Sequence, residues 1–542
     1  MTQLAATPWF NLSVVISLWF FACFWNFGKA FHMDDTGHLE IAHWIAANPW
    51  RPMSGMLSWG EDFQPIYNTN QPHLYFYLMA IWGSLFGWTE TSMHLLMSFF
   101  TFWAIYAFYR IANFISPDSG IIPTALFALS PAFVVGQNSM VDIPLIAVWI
   151  EFYWALLNPK LNERNRYLIG ALLCSAALLI KYTSLVLLPA LVFLMILRKQ
   201  YKQLVWGLLP IIILAIWSAF NFYDYGGFHI LERNIGNRTS PYSELAISWL
   251  RVLGAITPFA VLAFIAMIYR STSVISRCAW LLMSIFNLLT FSIIFWFFIA
   301  SPSDDVAINI LLKWLFLING AALILLIVTN ALNKVINDDL NITQLTLLYW
   351  LVSSAIFIIA LAPFMATRHV LLVIPPIVLL LYFWVIDGDK ARKFVMAVII
   401  LNLMVTSLLA MADCWYADIY RRYATLIADS LPKQSTIWFD GNWGWQWYAS
   451  QSGMQQFSLI DERPKPKAGD FIVSPQRVCC KLPTPREIKL ELYQKIIIPR
   501  DSRVSHFASS RFYYTVQQAW GYYNIPIEQF VILRVLDEQA GS

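Results

Sequence analysis

The feature that most limits what this chain can become is a succession of apolar runs, each close to bilayer length. A membrane-spanning helix needs about 20 predominantly apolar residues. Runs of this kind fall at 9–30, 91–113, 120–137, 140–157, 167–184, 185–198, 203–223, 246–269, 278–300, 307–332, 343–362, 369–386 and 394–412, thirteen in all. A further stretch, 74–88, is shorter, rich in aromatic residues and interrupted by Gly83 and Gly87. The composition agrees: 58% of the 542 residues are apolar and 13% charged, whereas soluble domains carry about 45–50% and about 25%. A charge deficit close to twofold excludes a soluble multidomain enzyme, a disordered chain and a small disulfide scaffold. The net charge of +4 is too mild to point to nucleic acid. Met1 to Phe31 lacks a basic flank and is followed by further spans, so it reads as the first span rather than a cleaved leader.

Basic residues set the expected orientation. Thirteen of them cluster in alternate connections: Arg110; Lys160, Arg164 and Arg166; Arg198, Lys199 and Lys202; Arg270 and Arg277; Lys334; Lys390, Arg392 and Lys393. All share one side if the chain crosses thirteen times and 74–88 lies flat at the interface. The expectation is therefore a polytopic α-helical protein with about 13 transmembrane helices, its N-terminus inside. Residues 1–413 would form the membrane domain, with a first outer loop over 32–88. Residues 414–542, where the composition turns polar, would form an extracytoplasmic α/β domain. In it the pattern predicts a helix over 415–430, strands near 436–439, 471–474, 496–499 and 530–535, and a helix after the first strand. Cys23, Cys174 and Cys278 sit in apolar runs, while Cys414, Cys479 and Cys480 could supply one disulfide outside the cytoplasm. Asn237-Arg-Thr239 has the form of a glycosylation triplet.

In so charge-poor a chain, each ionisable group near the membrane is informative, because at mid-bilayer it costs about 2.5–3.5 kcal/mol or more. Asp34 and Asp35 stand together beyond the first span; mutual repulsion favours a raised pKa at one of them, suited to a general base. A helix cap is the alternative role for such a pair. Glu40, His32, His38 and His43 lie close by and could hold a divalent metal. Gln71, His73, Tyr75 and Tyr77 lead into the interfacial stretch, where tyrosines anchor and His73 is better placed for function. Asp142 opens a span and could simply complement its helix dipole. Lys181, beside Tyr182, is an amine among Leu and Ile and needs a partner. Arg368 and His369 open a span after Pro363 and could serve an anion. His229, Arg233 and Arg238 belong to a loop over 224–244 long enough to move, and Asp304-Asp305 reads as a solvated pair.

Taken in order, five stretches resemble the membrane-embedded glycosyltransferases of the GT-C superfamily. The nearest resemblance is to the protein O-mannosyltransferases (glycosyltransferase family 39) and the lipid A aminoarabinose transferases. The stretches are Asp34-Asp35…Glu40-Ile41-Ala42, Gln71-Pro72-His73-Leu74-Tyr75-Phe76-Tyr77, Met140-Val141-Asp142-Ile143-Pro144, Lys181-Tyr182…Pro189 and Arg368-His369…Pro375-Pro376. Phe439-Asp440-Gly441-Asn442-Trp443-Gly444 resembles the start of the family's extramembrane domain. The resemblance implies transfer of a sugar from a polyprenyl-phosphate donor to a lipid, glycan or protein acceptor on the periplasmic side of a bacterial inner membrane. It implies Asp34 as catalytic base, with Asp35 where a Glu is usual. Lys181, Arg368, His369 and Gln71 would hold the donor phosphate; Glu40, His73, Tyr75, Asp142 and Tyr182 would contact substrate. Gln71 stands where relatives often carry Lys, which shifts the burden of charge to Lys181 and Arg368.

A flippase or transporter of lipid-linked sugar is the rival from another class. It would call for ionisable groups near mid-membrane, broken helices and internal repeats. The charges here gather on one face instead. A third reading, an assembly factor acting through its C-terminal part, expects no effect from removing Asp34.

Overall fold

The computed structural model describes residues 8–59, 62–69, 71–117, 119–232, 240–362, 364–386, 390–457, 465–478, 488–508, 513 and 518–537. Pro363, Arg233, Arg238, Asn237 to Thr239, Cys479 and Cys480 lie outside the described residues. Among the described residues, seven helices are long and apolar enough to cross a membrane: Glu90–Ile115, Tyr201–Tyr225, Val274–Ala300, Asp305–Ile336, Ile342–Leu361, Thr367–Ile386 and Lys390–Ser430. A bent pair, Tyr242–Ile256 and Ala260–Arg270, raises the number to eight if it counts as one span. Three shorter apolar helices, Trp9–Phe24, Leu74–Phe86 and Tyr182–Leu197, lie among them, with Asp142–Leu157 and Glu163–Ile180. The protein is thus a mostly helical, multi-pass membrane protein.

Two apolar runs are not straight spans, and proline explains both. The run 246–269 turns through 86° between its two helices. Pro258 sits in that break, where it has no N–H to donate and its ring crowds the preceding turn. The hydroxyl of Thr257 donates back to the Leu253 carbonyl (2.7 Å). The run 120–137 divides into Ile121–Ala128 and Pro131–Val135, the second opened by Pro131. Apolar content alone does not register a missing hydrogen-bond donor.

Asp142–Leu157 is largely enclosed, as is the segment Thr367–Ile386, 89% of whose apolar window is buried. Arg110 pairs with Glu151 near the far end of Asp142–Leu157, and Arg198 Nη1 donates to the Leu156 carbonyl (2.8 Å). From Asp142 to Leu156 the helix rises about 21 Å. Asp142 and these basic residues therefore occupy opposite ends of one buried helix. Elsewhere, Tyr242–Ile256 crosses Asp305–Ile336 in backbone contact. A Cβ on Gly254 would lie 1.9 Å from the Phe316 carbonyl oxygen, and one on Gly320 would lie 2.0 Å from that of Leu250. Only glycine fits this crossing.

The last of the long apolar helices runs without a break from Val395 to Ser430, crossing the expected 413/414 boundary. Its 36 residues extend about 54 Å, well beyond a bilayer core of about 30 Å. It leads into a five-stranded sheet in the order Gln455–Gln456, Ile437–Phe439, Phe471–Pro475, Glu528–Val535, Leu490–Ile498. The first three strands are parallel and the last two pairings antiparallel. The strand Leu490–Ile498 begins earlier than the sequence pattern suggests. It is an exposed edge, so Glu491, Gln494 and Lys495 are tolerated there and blur the apolar signal. The Tyr420 hydroxyl donates to Glu528 Oε2 (2.6 Å), Tyr448 to Glu90 Oε1 (2.7 Å), and Trp520 Nε1 to the Ala255 carbonyl (3.1 Å). One apolar core extends from the spans into the sheet.

Candidate active site

After the first helix the chain makes a turn and reaches Met33 with φ of +51°, a left-handed conformation uncommon for a residue with a side chain. This sends the two following carboxylates to different places. Asp35, the first residue of Asp35–Ala47, is fully buried, and its Oδ2 accepts from the His32 amide (2.9 Å). Burial pushes its carboxyl up to about 7 against the opposing pull of the backbone amides. Asp34 instead faces a cavity of about 400 Å³ and forms an ion pair with Arg368. Arg368 stands in the one-turn helix Thr367–Val370 that opens a buried span.

A second ion pair faces the same space. The helix Glu163–Ile180 stops at Lys181, whose extended backbone (φ −157°, ψ 131°) turns the side chain inward. Its Nζ lies 2.8 Å from Asp142 Oδ1. The partner required by an amine among Leu and Ile is therefore Asp142, which acts as more than a dipole complement. The side chains of the two pairs are 9–13% exposed, enough to be reached from the cavity. Two cations and two carboxylates balance, so the site presents no net charge from these four groups. Gln71, His369, His38, Gln64, Asn68, Thr69 and Thr183 add to the polar lining. Leu185, Phe357, Ile358, Leu361, Phe364 and Leu372 make an apolar wall along two spans. Trp443 and Tyr513, from the C-terminal part, close the remaining side.

The first outer loop is fastened in several places. His229 Nδ1 meets the Tyr182 hydroxyl (2.9 Å), His229 Nε2 meets the Thr69 carbonyl (2.6 Å), and Trp217 Nε1 donates to the Tyr182 hydroxyl (3.2 Å). Glu40 lies away from the cavity. Its Oε2 accepts from the Ser58 amide (3.2 Å) and its Oε1 from Gln446 Nε2, tying the loop to the C-terminal part. Burial raises its carboxyl to about 7.

Behind the cavity sits a sealed charge cluster. Lys29 pairs with Asp413 and donates to Asn138 Oδ1 (2.6 Å). Tyr513 donates to Asp413 Oδ2 (2.6 Å). Lys29 and Asp413 side chains are 0% and 1% exposed.

Of the residues singled out in the sequence, Asp34, His38, Gln71, Asp142, Lys181, Tyr182, Arg368 and His369 line the cavity. Asp35, Glu40, His73 and Tyr75 lie outside it. His73 is buried, its ring 5.2 Å from Phe76 and 6.0 Å from Trp217, and Tyr75 packs 6.0 Å from Phe100. The three histidines considered for a metal diverge. His32 packs against Tyr416 and Tyr513, His38 lies 4.9 Å from Phe76, and His43 stacks on Trp88 at 3.7 Å. Among the described residues no three His, Cys, Asp or Glu side chains converge. Cys414 is free, its thiol donating to the Trp25 carbonyl (2.8 Å). Sequence reasoning missed Trp443, Tyr513 and the Lys29–Asp413 pair. The last had a signal: each is a charge at the same membrane face, at the ends of the first and last apolar runs.

A multi-pass helical membrane protein with a charged cavity, walled on one side by apolar residues, is the class defined so far. Residues 70–222 match the family model of dolichyl-phosphate-mannose-protein mannosyltransferase. The match includes Gln71, Asp142, Lys181 and Tyr182, and it falls in the group that the sequence motifs resemble. No curated protein matches the chain by sequence. Among solved structures, the chain is similar to ArnT from Cupriavidus metallidurans bound to undecaprenyl phosphate, with 16% identity, TM-score 0.46, and coverage of 87% of this chain and 94% of that one. The archaeal oligosaccharyltransferase AglB from Archaeoglobus fulgidus, in complex with an inhibitory peptide and a dolichol-phosphate, matches at 12% identity, TM-score 0.45, over 84% and 64% of the two chains.

Proposed function

We propose that this protein is an integral-membrane glycosyltransferase moving a sugar from a polyprenyl-phosphate donor to a hydroxyl of a lipid, glycan or protein acceptor. We place it in a bacterial inner membrane with thirteen spans, its cavity and the domain 414–542 facing the periplasm. The observation that carries the reading is one cavity holding a reachable carboxylate, two cations and an apolar wall. The family match over residues 70–222 supports the same donor chemistry.

The reaction follows from the residues. Asp34 takes the proton of the acceptor hydroxyl as its oxygen attacks the anomeric carbon from the face opposite the phosphate. The bond from that carbon to the phosphate oxygen breaks, its electron pair leaves with the phosphate, and the configuration inverts. The donor is a phosphodiester with one negative charge; the departing polyprenyl phosphate carries two. Arg368 and Lys181 meet the charge that appears in this step, which is where electrostatic stabilisation accelerates a reaction. His369 and Gln71 add hydrogen bonds to phosphate, and the apolar wall receives isoprene units. Each cation already holds a carboxylate. Donor phosphate at Arg368 loosens the pair with Asp34 and frees the base when a sugar is present to be transferred.

The test is transfer of radiolabelled sugar from a polyprenyl-phosphate donor by Asp34→Asn in membranes. Transfer is expected to fall about 10²–10⁴-fold, the usual weight of general-base assistance, with the protein still folded. Undiminished transfer overturns Asp34 as the base. Mass spectrometry of envelope lipids and glycoproteins with and without the gene identifies the acceptor.

A further inference from the structure

Five described residues other than glycine have φ in the left-handed region, and two of them, Met33 and Trp443, stand at the cavity or next to a residue lining it. Met33 is explained by the aiming of Asp34. Trp443 begins the helix Trp443–Gln451 at φ of +60°, where glycine or asparagine would be at ease. A bulky aromatic residue in this region costs of order 1–3 kcal/mol and persists only where the surroundings fix the backbone. Here they do. The Asp440 amide donates to the Val473 carbonyl (3.0 Å), the Asn442 amide to the Val478 carbonyl (3.0 Å), and Trp445 Nε1 to the Asp440 carbonyl (2.9 Å). A Cβ on Gly444 would lie 2.6 Å from the Phe31 carbonyl oxygen, so the helix start is pressed against the strand of chain leading to Asp34. The strained turn thus carries an indole from the extramembrane part into the wall of a site whose charges come from the spans and the first loop.

We propose that Trp443 is a specificity-determining residue: its indole face is the platform on which the ring of the donor sugar packs. The inference rests on the function proposed above. The C–H faces of a pyranose pack on flat aromatic surfaces, and a tryptophan supplies the largest such surface with little conformational entropy to lose. Phe357 and Phe364 belong to the apolar wall suited to the lipid tail.

The experiment measures binding of bare undecaprenyl phosphate, and of undecaprenyl phosphate carrying mannose, glucose or aminoarabinose, to purified wild type, Trp443→Gly, Trp443→Asn and Trp443→Phe. In wild type at least one sugar-bearing lipid is expected to bind more tightly than bare phosphate. Trp443→Gly and Trp443→Asn are expected to lose that increment, about tenfold for one aromatic contact, while their affinity for bare phosphate stays within about twofold. Trp443→Phe keeps most of it. Gly and Asn accept the left-handed backbone, so the turn is kept, and the Tm of each variant, measured alongside, reads the loss of Trp443 packing on the apolar core. An increment that survives in Trp443→Gly or Trp443→Asn, or no increment from any sugar in wild type, overturns the platform. Absence of binding by bare phosphate overturns the proposed donor instead.

Discussion

Two kinds of ion pair lie within reach of one another in this protein, and they are built differently. Lys29–Asp413 is sealed from solvent and saturated: Asn138 and Tyr513 fill the positions the two charges leave open. Asp34–Arg368 and Asp142–Lys181 are partly open and face a cavity. A buried pair surrounded by partners fixes structure. An open pair of matched charges can be split by an anionic ligand, as the function proposed above requires. The sealed pair also serves the open ones, since Tyr513 lines the cavity while its hydroxyl is held by Asp413.

The largest expected effect breaks the sealed pair. Lys29→Met leaves Asp413 buried without its cation, which costs about 3–5 kcal/mol. A large fall in Tm in detergent is expected, with Lys29→Met/Asp413→Leu recovering most of it. If Lys29→Met is as stable as wild type, the pair is not structural. The open pairs are expected to behave in the opposite sense. Arg368→Met lowers kcat of sugar transfer about 10²–10³-fold, the weight of one preorganised group at a developing anion, with a small change in Tm. A large loss of Tm there would place Arg368 with the structural pair. Lys181→Met is expected to be milder, a rise in donor KM of about tenfold, because Arg368 still meets the phosphate. A drop in kcat alone would contradict that division of labour.

A last prediction, read as a trend with pH, concerns Asp35. Folded, it keeps its proton up to about pH 7, against an ordinary value of 3.8. Between those values the folded state holds more protons than the unfolded one, so the stability contributed by this carboxyl declines as pH rises from about 4 to 7. Asp35→Asn does not titrate. Its Tm relative to wild type is therefore expected to climb over that interval, and a difference that stays flat would show an ionised Asp35.

Much of this was legible in the sequence because charges are scarce. Asp34, Asp142, Lys181, Arg368 and His369 stood out against apolar surroundings, and all five line the cavity. Other features depend on the folded chain. Asp34 and Asp35 are neighbours in sequence, and only the left-handed turn at Met33 sends one to the cavity and the other into the core. Lys29 and Asp413 are 384 positions apart, so their pairing had no local signature. Trp443 and Tyr513 are aromatic residues among many, and their place at the site comes from how the sheet docks on the spans. The bend at Pro258 was visible as a proline, yet a window of hydropathy averages it away.

The most direct test of the open-pair reading is the affinity of Asp34→Asn for bare undecaprenyl phosphate. Removing the carboxylate frees Arg368 and takes a negative charge from the site, so tighter binding than wild type is expected, although transfer is lost. Binding that is weaker or unchanged would contradict the claim that the phosphate and Asp34 compete for Arg368.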